Sequence, residues 1–297
     1  MNSVLLFFRS AILFWKDKHD AEAVRRIPVS GKSSLSAARK EEYTIRISIS
    51  DIAGAETVRA CLSRYPIGLE TIRFGIGDVL DQGADALERF RREWEALSCG
   101  RSRLYLHGPF LDLFPASVDR AVRRTALSRF RAAYDAARNL GAEGIVFHSG
   151  YFPAPYGIGP WLEGASAFWE AFLREREGAL PIYVENVFDP EPGPLAELAA
   201  RCPELSLCLD VGHAGAVSPV PPEEWIRQWG SRIGHVHLHN NDGRQDLHSG
   251  LRSGILPMER ILPLLSEVSP QSELVLEIPD AAALCSSLSW LEGFEAL

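Results

Sequence analysis

From Thr44 onward the chain alternates between short β-branched or apolar runs and longer segments of helical periodicity. The short runs are TIRISIS (44–50), LETIRF (69–74), RLYLHG (103–108), GIVFHSG (144–150), PIYVEN (181–186), LSLCLD (205–210), IGHVHLH (233–239) and ELVLEI (273–278). Between them lie stretches such as ADALERFRREWEAL (84–97) and VDRAVRRTALSRFRAAYDAARNL (118–140), whose apolar positions recur at three and four. Strands that alternate with helices predict a parallel sheet. About eight such units in about 255 residues match a closed barrel. An open doubly wound sheet would call for a GxGxxG turn after the first strand, where SDIAGAET stands instead. The expected fold is therefore α/β, a (β/α)8 TIM barrel occupying residues 43–297 as one domain.

Residues 1–42 stand apart from this pattern. VLLFFRSAILFW (4–15) is apolar, but Arg9 interrupts it. It is shorter than the ~20 residues a bilayer requires and lacks the basic flank and small-residue cleavage site of a signal peptide. The charged, Ser- and Ala-rich stretch that follows reads as a leader outside the core. No membrane association is expected. Five scattered cysteines (Cys61, Cys99, Cys202, Cys208, Cys285) with no CxxC pair suggest neither a disulfide framework nor a thiolate metal site, and fit a reducing, cytoplasmic setting. A net charge of −8 gives no general attraction to polyanions, so any nucleic-acid contact must come from a local basic patch. No obligate protein partner is evident.

Barrel enzymes carry their chemistry at the C-terminal ends of the strands, and the metal-competent side chains of this chain concentrate there. His107 ends the third strand, His148 the fourth, Glu185 the fifth and Asp210 the sixth, with His213 three residues later. His237 lies near the end of the seventh, Asp246 and His248 in the loop beyond, and Glu277 at the end of the eighth. Any one of these reads blandly: a lone strand-end histidine is usually a hydrogen-bonded rim residue, and Glu185 before Asn186 could cap a helix. Six consecutive strands delivering an acid or imidazole to one end would need six separate explanations of that kind. Four carboxylates in one pocket also repel one another and are costly to desolvate, a cost that bound divalent cations remove. Imidazole plus carboxylate without thiolate suits Zn²⁺, Mn²⁺, Fe²⁺ or Co²⁺, and nine donors suffice for two or three ions.

This set resembles that of the xylose isomerase-like barrels (AP endonuclease family 2), and its ligand pattern is most similar to endonuclease IV, the zinc enzymes that cleave DNA at abasic sites. All nine positions named above match that family's ligands in order. The resemblance implies two to three Zn²⁺ and phosphoester or phosphodiester hydrolysis, with Glu185 as base or water-orienting group. The chain also resembles sugar and sugar-phosphate isomerases and epimerases. These use one ion held by residues corresponding to Glu185, Asp210, His237 and Glu277, and the two glutamates, Glu185 and Glu277, move the proton. His107, His148, Asp246 and His248 would then be surplus, which favours the hydrolase. LHNNDG after the seventh strand, HSGY after the fourth and the acidic GIGDVLDQGAD after the second depart from the endonuclease pattern.

The expected substrate is a small phosphorylated or sugar molecule, or damaged DNA. Candidate contacts are Phe110 and Leu111 as an apolar wedge, Tyr151 in the aromatic loop YFPAPYGIGPW, and Arg244 and Arg252 for a phosphate. Alternation along VHLH turns His235, His237 and His239 to one face. His239 is expected to support the ligands or touch substrate, and His235 to be a satisfied interior histidine.

Overall fold

The structure is a computed structural model that describes residues 46–98, 102–152, 157–176 and 178–293; the leader, Thr44, Cys99 and Tyr156 lie outside these. Eight strands, β1 (Arg46–Ser50), β2 (Gly68–Thr71), β3 (Leu104–His107), β4 (Gly144–His148), β5 (Ile182–Glu185), β6 (Leu205–Asp210), β7 (Ile233–Leu238) and β8 (Glu273–Leu276), pair in parallel in chain order. β8 closes on β1, with Ile47 opposite Leu274 and Ile49 opposite Leu276. The expected barrel is present.

The helices used below are α1 (Ala55–Arg64), α2 (Gly77–Asp81), α3 (Ala84–Ser98), α4 (Arg120–Leu140), α5 (Ile158–Glu175), α6 (Gly193–Arg201), α7 (Val211–Val217), α8 (Pro222–Trp229), α9 (Met258–Val268) and α10 (Ala281–Glu292). Local chemistry sets their ends. Asp119 caps α4 by accepting the Ala121 N–H at 2.6 Å, and Gly141 stops it in the left-handed region at φ 70°. The strand expected over 69–74 ends early, at Thr71, because Asp51 accepts both the Thr71 hydroxyl at 2.6 Å and the Ile72 N–H at 2.9 Å. Those bonds turn the backbone into a single 3₁₀ turn, Arg73–Gly75, and the acidic stretch beyond becomes α2.

The main core lies between strands and helices. Phe147 of β4 stacks on Phe130 of α4, centroids 4.2 Å apart, and Trp169 and Phe172 of α5 pack edge-on to it. The barrel interior holds a second, smaller apolar cluster, Tyr105, Val146, Tyr183 and Cys208, together with many buried polar side chains. At its N-terminal end the buried Glu273 accepts from Arg46 Nε at 3.0 Å, from Arg103 Nε at 3.1 Å, and from the Ser48 hydroxyl. This ionic floor leaves the opposite mouth for the residues considered next.

Candidate metal centre

Glu185 sits at the middle of the mouth, 1% exposed. Its Oε2 lies 3.2 Å from His107 Nε2 and 3.4 Å from His148 Nε2, while Oε1 lies 3.3 Å from His237 Nδ1 and 3.3 Å from His213 Nδ1. The two oxygens of one carboxylate thus face different imidazoles, although His213 Nδ1–H donates to the Asn186 carbonyl at 2.9 Å and so leaves its Nε2 as the open nitrogen. His237 Nδ1 also lies 3.8 Å from Asp210 and 3.7 Å from Glu277. A third set surrounds Asp246: His248 Nε2 at 3.1 Å, His213 Nε2 at 3.4 Å and His239 Nε2 at 3.6 Å.

Neighbouring backbone orients several of these rings. His107 Nδ1–H donates to the Gly108 carbonyl at 2.9 Å and His248 Nδ1–H to the Glu277 carbonyl at 2.8 Å, leaving each Nε2 free to act as a donor. Asn186 clasps β6: its amide donates to the Asp210 carbonyl at 3.0 Å and its oxygen accepts the Asp210 N–H at 2.9 Å. Glu185 therefore points into the barrel and its neighbour braces the next strand, in place of the helix cap that the VEN triplet allowed. His248 holds φ 48°, an uncommon conformation for a residue other than glycine, which swings its ring over the mouth. Gly212 has its own reason: a Cβ there would lie 1.9 Å from the His239 ring.

Burial opposes the charge on every one of these groups. Even so, His237 and the bonds from His107 and His213 hold Glu185 well below the usual carboxylate range. Asp210 and Asp246 raise His213 well above the usual imidazole value, and Asp246 lifts His248 to about 9. Burial dominates at His148, which falls to about 3. The carboxylates thus draw positive charge into the pocket, which protons on His213 and His248, or cations in their place, would supply. Divalent cations would fit that role. Donors bound tetrahedrally at ~2.0–2.1 Å from one ion lie about 3.3 Å apart, which is the spacing of the Glu185 and Asp246 contacts. His237 Nδ1 and Asp246 Oδ1 are buried without a hydrogen-bond partner, as expected of atoms shaped for another acceptor or cation.

All nine sequence-predicted metal residues meet at this mouth. Phe110 stacks on His148 at 4.7 Å and meets His107 edge-on at 5.2 Å. Leu111 is half-buried beside it. Tyr151 is buried edge-on against Trp161, and burial raises its hydroxyl pKa. Arg244 and Arg252 are exposed on the loop after β7. His239 lies deeper than a substrate contact, fully buried, stacked on His248 at 3.9 Å and 3.2 Å from Asp210. Sequence reasoning missed Glu70. It is wholly buried in β2, its Oε2 2.8 Å from His235 Nε2 and its Oε1 3.0 Å from His237 Nε2. A carboxylate between Leu69 and Thr71 on an inward-facing strand position was the available signal.

The family model for xylose isomerase-like TIM barrels matches residues 66–294, and the chain belongs to that family. Among curated relatives, MJ1311 of Methanocaldococcus jannaschii is 28% identical over 186 residues, 59% of this chain and 64% of its own length. The chain thus spans just under two thirds of that relative. A probable endonuclease 4 of Mycobacterium leprae is 24% identical over 66% of this chain and 80% of its own. Among solved structures, a D-tagatose 3-epimerase-like protein superposes with a TM-score of 0.72 at 21% identity, covering 84% of this chain and 97% of its own. TTHB071 from Thermus thermophilus, from a crystal soaked with ZnCl₂, superposes at 0.65 with 25% identity, covering 84% and 96%. The family is thus enzymatic, with relatives that act on DNA and on sugars.

Proposed function

We propose that the chain is a divalent-metal-dependent phosphoester hydrolase, favouring a phosphodiester such as an abasic site in DNA. The observation that carries this reading is the divided Glu185 carboxylate, one oxygen facing His107 and His148 and the other facing His237 Nδ1, which Asp210 and Glu277 also approach. A single-ion site has no use for that arrangement, nor for the third set around Asp246. His107, His148, Glu185, Asp210, His213, His237, Asp246, His248 and Glu277 would hold two to three ions, zinc foremost, with Mn²⁺, Fe²⁺ or Co²⁺ as alternatives. When bound, such ions supply Lewis acidity towards a phosphoryl oxygen and acidify water. Glu185 orients the attacking water and takes its proton, and Phe110, stacked on His148, walls the pocket beside the reacting group. The named endonuclease 4 relative supports the substrate class.

Metal content per chain, measured on protein purified without chelator beside a His107→Ala, His148→Ala double variant, tests the reading. Two to three ions falling towards one would support it. One ion, unaffected by the double change, would overturn it and favour the second reading, isomerisation or epimerisation of a sugar or sugar phosphate. That second reading draws on Glu185 and Glu277 facing the same His237 nitrogen, at 3.3 and 3.7 Å, and on the epimerase-like neighbour.

A further inference from the structure

The first turns of α4 carry three arginines, Arg120, Arg123 and Arg124, spaced to share one helix face. This placement is unfavourable twice over. Like charges repel at that spacing, and cations at a helix N-terminus oppose the macrodipole. Among the described residues no carboxylate lies within ion-pair distance of any of the three, and the Asp119 carboxylate is engaged in capping. Arg123 donates to the Ser117 carbonyl, while Arg120 and Arg124 are exposed. The three form the charged edge of a groove of about 440 Å³ whose remaining lining is apolar: Leu127 of α4, and Gly164, Ala167, Phe168 and Ala171 of α5. Gly164 abuts Ala116, tying the groove to the loop after β3. That loop leaves the candidate centre at His107, carries Phe110 over it, presents Phe114 (39% exposed) and Val118 (75% exposed), and arrives at Arg120.

We infer that the arginine face of α4 holds the phosphodiester backbone of a nucleic-acid strand running from the candidate centre across the loop after β3. The inference rests on the hydrolase reading and deepens it, because a small sugar phosphate would have no use for cations at this remove. Charge complementarity fits the arginine edge of the groove to a polyanion, with the apolar floor beside it. The exposed aromatic on the way to it suits a base, since positive grooves with interleaved aromatic rings bind nucleic-acid strands with little regard to sequence. On a chain of net charge −8, this is a local basic patch of the kind nucleic-acid contact requires.

The test is fluorescence anisotropy of a labelled duplex of about 30 base pairs bearing one abasic-site analogue, titrated across a salt series. The full chain is compared with an Arg120→Gln, Arg124→Gln variant and with a control that removes the same charge elsewhere, Arg59→Gln, Arg227→Gln. Loss of two phosphate contacts should lower the slope of log K against log salt by about 2 and weaken binding on the order of tenfold at moderate salt. Restoring one charge with Arg120→Gln, Arg124→Lys should recover about half of the slope. Equal losses in variant and control, or no binding by the unaltered chain at low salt, would overturn the inference. The hydrolase reading fails separately: duplex bound through these arginines by a chain that cleaves no phosphodiester would retire that reading and leave the surface.

Discussion

Replacing Glu70 with Gln probes how the candidate centre is held. Glu70 is wholly buried, and although burial opposes its charge, His237 and His235 hold it well below the ordinary carboxylate range. Its Oε1 faces the Nε2 of His237 at 3.0 Å, on the far side of that ring from Glu185 and Glu277. The contact lacks hydrogen-bond geometry, but the Glu70 charge beside Nε2 favours the His237 proton there and leaves Nδ1 open towards an ion. The Gln side chain keeps the volume but presents an acceptor to only one of its two imidazoles, so its amide N–H₂ faces the other. If that is His237, its proton moves to Nδ1, the atom needed for an ion. Loss of such an outer partner costs ~10–100-fold in metal affinity, or about 1.4–2.7 kcal/mol. The effect should fall on the ion served by His237 and spare the set around Asp246. Competition for zinc against a chromophoric chelator, with thermal melts to verify folding, measures it. A folded Glu70→Gln protein that retains every ion within twofold of the unaltered affinity would refute the reasoning.

Three further expectations follow from the same geometry. Glu185→Gln should abolish phosphodiester turnover while most of the metal stays bound; retained activity, read beside elemental analysis, would remove Glu185 from its role. Burial raises the Asp189 carboxyl to about 6 despite its bonds from the Ser149 hydroxyl at 2.8 Å and the Val187 N–H at 3.0 Å. The native state therefore holds a proton that the unfolded chain releases near pH 4, and stability falls as pH rises from about 4 to about 6. Asp189→Asn should remove that fall and stabilise the protein at pH 7 by roughly 2–3 kcal/mol, and urea titrations giving parallel pH profiles for both proteins would count against it. Glu273→Ala strips the ionic floor of its acceptor. Breaking a buried pair costs about 3–5 kcal/mol, and because Arg46 and Arg103 keep 35% and 26% exposure, the lower end, about 3 kcal/mol, is expected from denaturant unfolding.

The sequence by itself determined the architecture, because strand and helix periodicities differ and their alternation admits few topologies. It also determined the candidate ligand set, because barrel strands all end at one mouth: a histidine or acid at the end of β3, β4, β5 or β6 has only one place to be. Tertiary structure alone decided how those donors divide among themselves. The split of Glu185 between two sets depends on the stagger of β5 against β4 and β6, which no spacing along the chain encodes. It decided the depth of His239, seated where Gly212 leaves room, and the partner of His237, since Glu70 comes from a strand far away in the chain. It brought the small residues of α5 opposite the arginines of α4, a pairing set by helix packing. Periodicity reports which face a residue takes; distances across the barrel arise only when eight strands close and their interior side chains compete for one small volume.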